Sequence, residues 1–189
     1  MTTPEEILGF WLDEVGPAGW YSENPVLDAT IRERFGAAWE QARAGTLDGW
    51  CTCPEGTLAL LILLDQFPRN MFRGDPRSFA TDAKALAVAK RALRLGYPAR
   101  IPAPARQFFY LPLMHSESLA DQERCLRRVL LDPELQHNVD HARAHRAVIR
   151  QFGRFPYRNA ALGRRSTAPE QAFLTQGGYA AAMETVKAA

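Results

Sequence analysis

Residues 58–74 read LALLILLDQFPRNMFRG, and the fold turns on them. Leu58 to Leu64 is an unbroken apolar run, comfortable only inside a core. It is rich in Leu and poor in β-branched residues, which predicts a helix; a buried strand is the alternative. Pro68 ends or kinks the element. At its exit come a carboxylate, two amides and two guanidinium groups: Asp65, Gln66, Asn70, Arg69 and Arg73. Charged groups tied to the end of a buried element must be paired, hydrated in a pocket, or poised for a ligand.

Outward from this stretch the chain reads as a succession of helices. Thr3-Pro4-Glu5-Glu6 is a helix start, with Thr as N-cap, Pro at the first position and Glu at the third. Gly16 to Gly19 stops that helix. Asn24-Pro25 opens a second, carried by Leu27, Ile31, Phe35, Ala38, Trp39 and Ala42 at helical spacing and closed by Gly45. Asp75-Pro76 starts a helix that runs to Gly96. Pro104 to Leu111 is a short aromatic helix broken at Pro112. Ser118-Leu119-Ala120-Asp121 resembles a capping box for a helix reaching about Leu131. Asp132-Pro133 starts one that runs to Phe152, where Gly153 and Pro156 end it. Thr167 to Glu170 begins a last short helix through Leu174. No strand or hairpin pattern competes. The fold class is therefore all-α, with antiparallel helix pairs stacked as a bundle or a superhelix. The expected organisation is one domain over residues 1–176, with 177–189 as an Ala-rich tail that frays.

Bulk composition narrows the function. A chain of 189 residues can bury a full core unaided. A net charge of +2 argues against a nucleic-acid binder. No apolar run is long enough to cross a bilayer, so no membrane partner is expected. Three cysteines, Cys51, Cys53 and Cys125, do not make a disulfide framework, which fits a cytoplasmic location. Cys51 and Cys53 lack a second pair for zinc, and no phosphate loop, nucleophile elbow or HExxH is present, so neither metal nor cofactor is expected. Twenty of the 23 basic residues are Arg, whose planar fork suits carboxylate or phosphate wherever arginines cluster.

They cluster twice. Residues 66–74, QFPRNMFRG, align without gaps on residues 151–159, QFGRFPYRN, with Gln, Phe and both Arg coincident. Chance and a diverged duplication both account for this. Either way, Arg69, Arg73, Arg154 and Arg158 form matched pairs at helix exits, and Arg69 and Arg158 each stand beside an amide, Asn70 and Asn159. Such a set would hold an anion or buried carboxylates. His115-Ser116-Glu117 lies in a helix break and offers acid, base or capping groups. His137, His141 and His145 are spaced four apart. His145 falls at the edge of the apolar stripe Leu135, Val139, Ala142, Ile149 and Phe152, as a partly buried member of a pocket; His137 turns away.

DQFPRNMFRG, FFYLPLMHSESLADQ and RFPYRN together resemble the motifs of a bacterial family, domain of unknown function 924, from Ile7 to about Leu174. The resemblance implies a tetratricopeptide-repeat-like helical stack. It maps the family motifs onto Asp65, Gln66, Arg69, Asn70 and Arg73; His115 and Glu117; His145; and Arg154, Pro156, Arg158 and Asn159. The family pattern has His where this chain has Tyr157. No activity comes with it. From the residues, the expected function is binding of a small anionic metabolite in an Arg/His/Glu-lined pocket on which both arginine pairs and the HSE turn converge, with enzymatic turnover as the narrower version. The other expectation is a helical scaffold for a protein partner, its Arg, Asp and Glu motifs locked as internal ion pairs.

Overall fold

The computed structural model describes residues 1–188, and every regular element among them is helical. Contacts divide the chain into two compact units, Met1–Pro112 and a second from Leu113 onward.

In the first unit, α1 (Pro4–Leu8) opens with the capping box that the sequence spells. Glu6 N donates to Thr3 Oγ1 at 3.3 Å and Thr3 N to Glu6 Oε2 at 3.0 Å. A π-helical stretch, Gly9–Val15, and a short α2 (Gly16–Gly19) follow. Asn24 Oδ1 caps α3 (Pro25–Ala44) by accepting from Val26 and Leu27 N–H, and Gly45 closes that helix at φ +92°, where a side chain would be strained. The opening stretch becomes α4 (Pro54–Leu61), a π-helical stretch Ile62–Gln66, and α5 (Phe67–Met71). Each residue from Leu58 to Leu64 is at most 1 % exposed, so the apolar run is the centre of this unit's core. Burying each Leu there contributes about 1.5–3 kcal/mol before entropic costs. Phe67 continues the core. Its ring stacks on Phe35 at 5.1 Å and meets Trp11 edge-on at 5.4 Å.

The π stretch has a local cause. Pro68 has no N–H, so the Leu64 carbonyl loses its α-helical donor. The Thr81 hydroxyl supplies one at 2.5 Å and in turn accepts from Trp39 Nε1 at 3.3 Å. The Phe67 N–H reaches back five residues to the Ile62 carbonyl. Thr81 therefore sits just before α6 (Asp82–Arg94), and the helix expected from Asp75 is split into a 3₁₀ turn, Pro76–Phe79, and α6. α7 (Leu111–Met114) spans the division between the units.

In the second unit, α8 (Leu119–Leu130) packs against α9 (Val139–Phe152). Val148, Ile149 and Phe155 form one buried cluster in it, joined by Phe152, Phe173 and Ala182. α10 (Ala168–Thr175) carries the Thr167–Glu170 capping box. Where the sequence leaves an Ala-rich tail, the chain forms α11 (Gly178–Lys187), packed on α9. Gly177, at φ +103°, turns the chain into that helix. The sequence misses α11 because its anchor, Tyr179, binds residues nearly forty positions away. Ser118 makes no side-chain cap; Ser116 takes that place, donating to Asp121 at 3.0 Å and accepting from Ser118 N at 3.2 Å. A 3₁₀ turn, Pro133–Asn138, holds His137, so only His141 and His145 share the α9 face. The two echoing segments differ in backbone: one forms α5, the other a bend and a 3₁₀ turn, Pro156–Arg158. No helix among the described residues is long and apolar enough to cross a membrane.

Candidate functional site

The DQFPRN residues belong to the first unit, where carboxylates of that unit grip their guanidinium groups. Arg69 clamps Asp82 with both terminal nitrogens, at 3.0 and 3.1 Å, and also donates to the Asp65 carbonyl at 2.6 Å. The Asp65 carboxylate, 1 % exposed, lies 3.5 Å from Arg69 and accepts from Gln66 Nε2. Arg73 Nε and Asn70 Nδ2 meet on Asp28, at 2.6 and 2.8 Å. Tyr21, 61 % exposed, donates its hydroxyl to Gln107 at 2.6 Å. These residues tie the exit of the buried helix to α3 and α6.

The HSE turn and the RFPYRN segment lie together in the second unit. Gln122, fully buried, holds the turn from inside by donating to the Met114 and Ser116 carbonyls at 2.6 and 2.7 Å. Glu117 accepts from Phe155 N at 2.9 Å and from both terminal nitrogens of Arg164 at 2.8 and 2.9 Å. Burial acts most strongly on this carboxyl and raises its pKa. The Arg164 fork, the Phe155 N–H and the charges of Arg164 and Arg158 outweigh it and hold Glu117 below its ordinary value. Arg154 is engaged elsewhere, with Nε and Nη2 on Glu170 at 2.6 and 2.8 Å. That bond, and then the Thr167 N–H, hold Glu170 well below the usual carboxylate range. Asn159 is buried and donates to Ser166 Oγ at 3.0 Å.

His115, His145, Phe155, Tyr157, Arg158 and Tyr179 form a continuous aromatic and cationic cluster. The His145 ring lies 4.7 Å from Tyr179, 5.5 Å from Phe155 and 6.1 Å from His115, between centroids. Tyr157 stacks on Phe155 at 5.3 Å. The Arg158 guanidinium sits 4.4 Å over the Phe155 ring, and the residue is only 7 % exposed. His145 Nδ1 is 2.9 Å from the His141 carbonyl oxygen. A carbonyl only accepts, so Nδ1 carries the proton. Burial pushes this imidazole down to about 3, with the His115 ring and the Arg158 charge acting in the same direction and the His141 carbonyl opposing them. It is therefore neutral at neutral pH, and Nε2 presents a bare lone pair. His141, which is exposed, has its Nδ1 2.7 Å from the hydroxyl of half-buried Tyr179, whose pKa burial raises.

Sequence reasoning singles out His115, His145, Arg158 and Glu117 and misses Arg164, Gln122 and Tyr179. The Gly163-Arg164-Arg165 run is the one local sign of Arg164; nothing in the sequence marks Tyr179. Two recesses border this unit's helices. One, of about 460 Å³, is lined mainly by small and apolar residues, among them Ala147, Val148, Phe173 and Val186. The other, of about 490 Å³, borders Arg154 and Glu170.

The fold and these clusters define an all-α protein that concentrates its polar motifs at helix exits and in one histidine–arginine–tyrosine group. Residues 7–178 match the sequence profile of the bacterial proteins of unknown function termed DUF924, and the chain belongs to that family. It is also similar to a solved structure of a protein of unknown function from Agrobacterium tumefaciens. The two share 39 % identity at a TM-score of 0.86, over 92 % of this chain and 97 % of the other. No curated protein matches the chain.

Proposed function

We propose that the protein binds a small anionic metabolite at the His115, His145 and Arg158 group of its second unit. The carrying observation is His145 itself. Its Nδ1 is committed to the His141 carbonyl and its ring is set between Tyr179 and Phe155, against whose ring the nearly buried Arg158 guanidinium also lies. A cation and an oriented imidazole against aromatic walls are the usual components of a small-acid site. The remaining motif residues, Asp65, Gln66, Arg69, Asn70, Arg73, Glu117, Arg154 and Asn159, are bonded within their own units.

A thermal-shift screen of carboxylated and phosphorylated metabolites tests this, with the wild-type chain and Arg158→Lys. A ligand at a hundred times its Kd raises Tm by about 5–10 °C for a chain of this size. Lys lacks the planar fork, so the variant loses that response. The second reading is a helical scaffold for a protein partner. One observation favours it: Arg69, Arg73 and Arg154 all grip carboxylates of their own units. Silence across the screen, with a protein partner recovered by pull-down, selects the scaffold.

A further inference from the structure

The two recesses of the second unit adjoin, because Gln151 and Pro169 line both. We propose that together they bind a small neutral acyl amide, its aliphatic or aromatic body in the apolar recess and its carbonyl against Arg154. This site shares no residue with the His115, His145 and Arg158 group, and it stands or falls independently of the anion reading.

The apolar recess, about 460 Å³, is bordered by α9, α10 and α11. Val148, Phe173 and Val186 give it hydrophobic walls, and the small side chains of Ala147, Ala172 and Ala182 leave the space. Among the described residues, none that lines it is charged. A charged group placed there would lose water and gain no counter-charge, so the part of the ligand it takes is apolar. Polarity enters in the adjoining recess, about 490 Å³, which Arg154 and Glu170 line. Glu170, only 2 % exposed, accepts from Arg154 Nε and Nη2 at 2.6 and 2.8 Å and from Thr167 N at 2.7 Å. The guanidinium charge is therefore matched within the protein. Nη2 also donates to the Arg165 carbonyl at 3.0 Å, and Nη1 is the guanidinium nitrogen left without a bond among the described residues. It can only donate. A carboxylate set there would crowd a second negative charge onto a guanidinium that Glu170 already neutralises, and an ammonium would meet Arg154 itself. A neutral carbonyl takes the Nη1 proton in a hydrogen bond and brings no charge. Gln151, at the junction of the recesses, carries a carboxamide oxygen to accept from the ligand's own NH₂.

The test is ¹H–¹⁵N NMR titration of the full chain at neutral pH with hexanamide and 4-phenylbutanamide, each against its matched acid, hexanoate and 4-phenylbutanoate. Amides of this size are expected to bind at about 1–10 mM. They move the resonances of Ala147, Ala172 and Ala182 together with that of Arg154 Nε, and bind about fivefold more tightly than the acids. Ala147→Trp, at an exposed position, fills the apolar recess and abolishes binding. Glu170→Gln keeps a capping-box side chain but takes the counter-charge from Arg154, so the preference reverses toward the acids. Acids that bind the wild-type recess as tightly as the amides, no shift at about 50 mM, binding that survives Ala147→Trp, or an amide preference unchanged in folded Glu170→Gln overturns the inference. So does a blocked peptide, N-acetylphenylalanine methylamide, that binds there over about tenfold more tightly than the amides, which gives the groove to a protein segment. The wild-type pairs and Ala147→Trp decide the matter if Glu170→Gln does not fold.

Discussion

Glu117→Gln removes one charge and leaves the shape of the side chain. In the native chain the carboxylate accepts three bonds, from Phe155 N at 2.9 Å and from Arg164 Nη1 and Nη2 at 2.8 and 2.9 Å. The glutamine oxygen can keep the Phe155 bond; its NH₂ then faces Arg164, so the fork loses an acceptor and its counter-charge. Arg164 Nε is already buried without a partner, which leaves the guanidinium poorly compensated. The two side chains are 29 % and 24 % exposed, between the surface case of under about 1 kcal/mol and the fully buried one of about 3–5 kcal/mol. One charge-assisted bond is worth about 1.5–3 kcal/mol, so the expected loss is about 2 kcal/mol, or about 4–8 °C in Tm. The pH dependence has a fixed sign. Glu117 titrates below its ordinary value in the folded state. Its stabilisation is complete above the ordinary carboxyl range and disappears as pH falls through the folded value. Thermal melts of both proteins from pH 7 down to pH 3 check this. A Tm difference under 1 °C at pH 7, or a gap that stays constant into acid, refutes the ion-pair account of Glu117.

Thr81→Val strips the donor from the Leu64 carbonyl and the acceptor from Trp39 Nε1, and urea unfolding should show a loss of about 1–3 kcal/mol; a loss below about 0.5 kcal/mol would mean that the hydroxyl does not compensate for Pro68. Arg154→Lys breaks the fork on Glu170 and lowers Tm at neutral pH, with the effect fading in acid as Glu170 protonates; an unchanged Tm at neutral pH would mean that the fork does not stabilise the fold. His145, pushed down to about 3 from an ordinary 6.5, binds its proton more readily in the unfolded chain, so its contribution is complete above pH 6.5 and erodes as pH falls toward 3. His145→Phe should therefore show a shallower fall in Tm over that interval, and a steeper one would contradict the neutral ring.

The apolar run at Leu58 to Leu64 was legible because seven apolar residues in a row have no comfortable place outside a core. The caps at Thr3, Asn24 and Thr167 were legible because capping is local chemistry. What the sequence could not supply was pairing across distance. Asp82, Asp28 and Glu170 are the carboxylates on Arg69, Arg73 and Arg154, yet they stand 13, 45 and 16 positions away. Arg164, which clamps Glu117, is 47 away. The π stretch after Leu61 escaped periodicity because its cause, the missing N–H of Pro68, is answered by Thr81 from the start of another helix. His137 turned away from the stripe in the sequence, and the structure sets it apart on a 3₁₀ turn before α9 begins at Val139, a boundary the sequence does not show. His145 was placed at the edge of its stripe, as found, but the Tyr179 that frames it came from a segment read as a tail.

The most direct test of the anion site follows the four imidazoles by NMR while an acid that raises Tm is titrated into the protein. The account predicts that His115 and His145 move together with the same Kd as the thermal response, while His137, on its separate 3₁₀ turn, stays still. Binding that leaves His115 and His145 unmoved would contradict it.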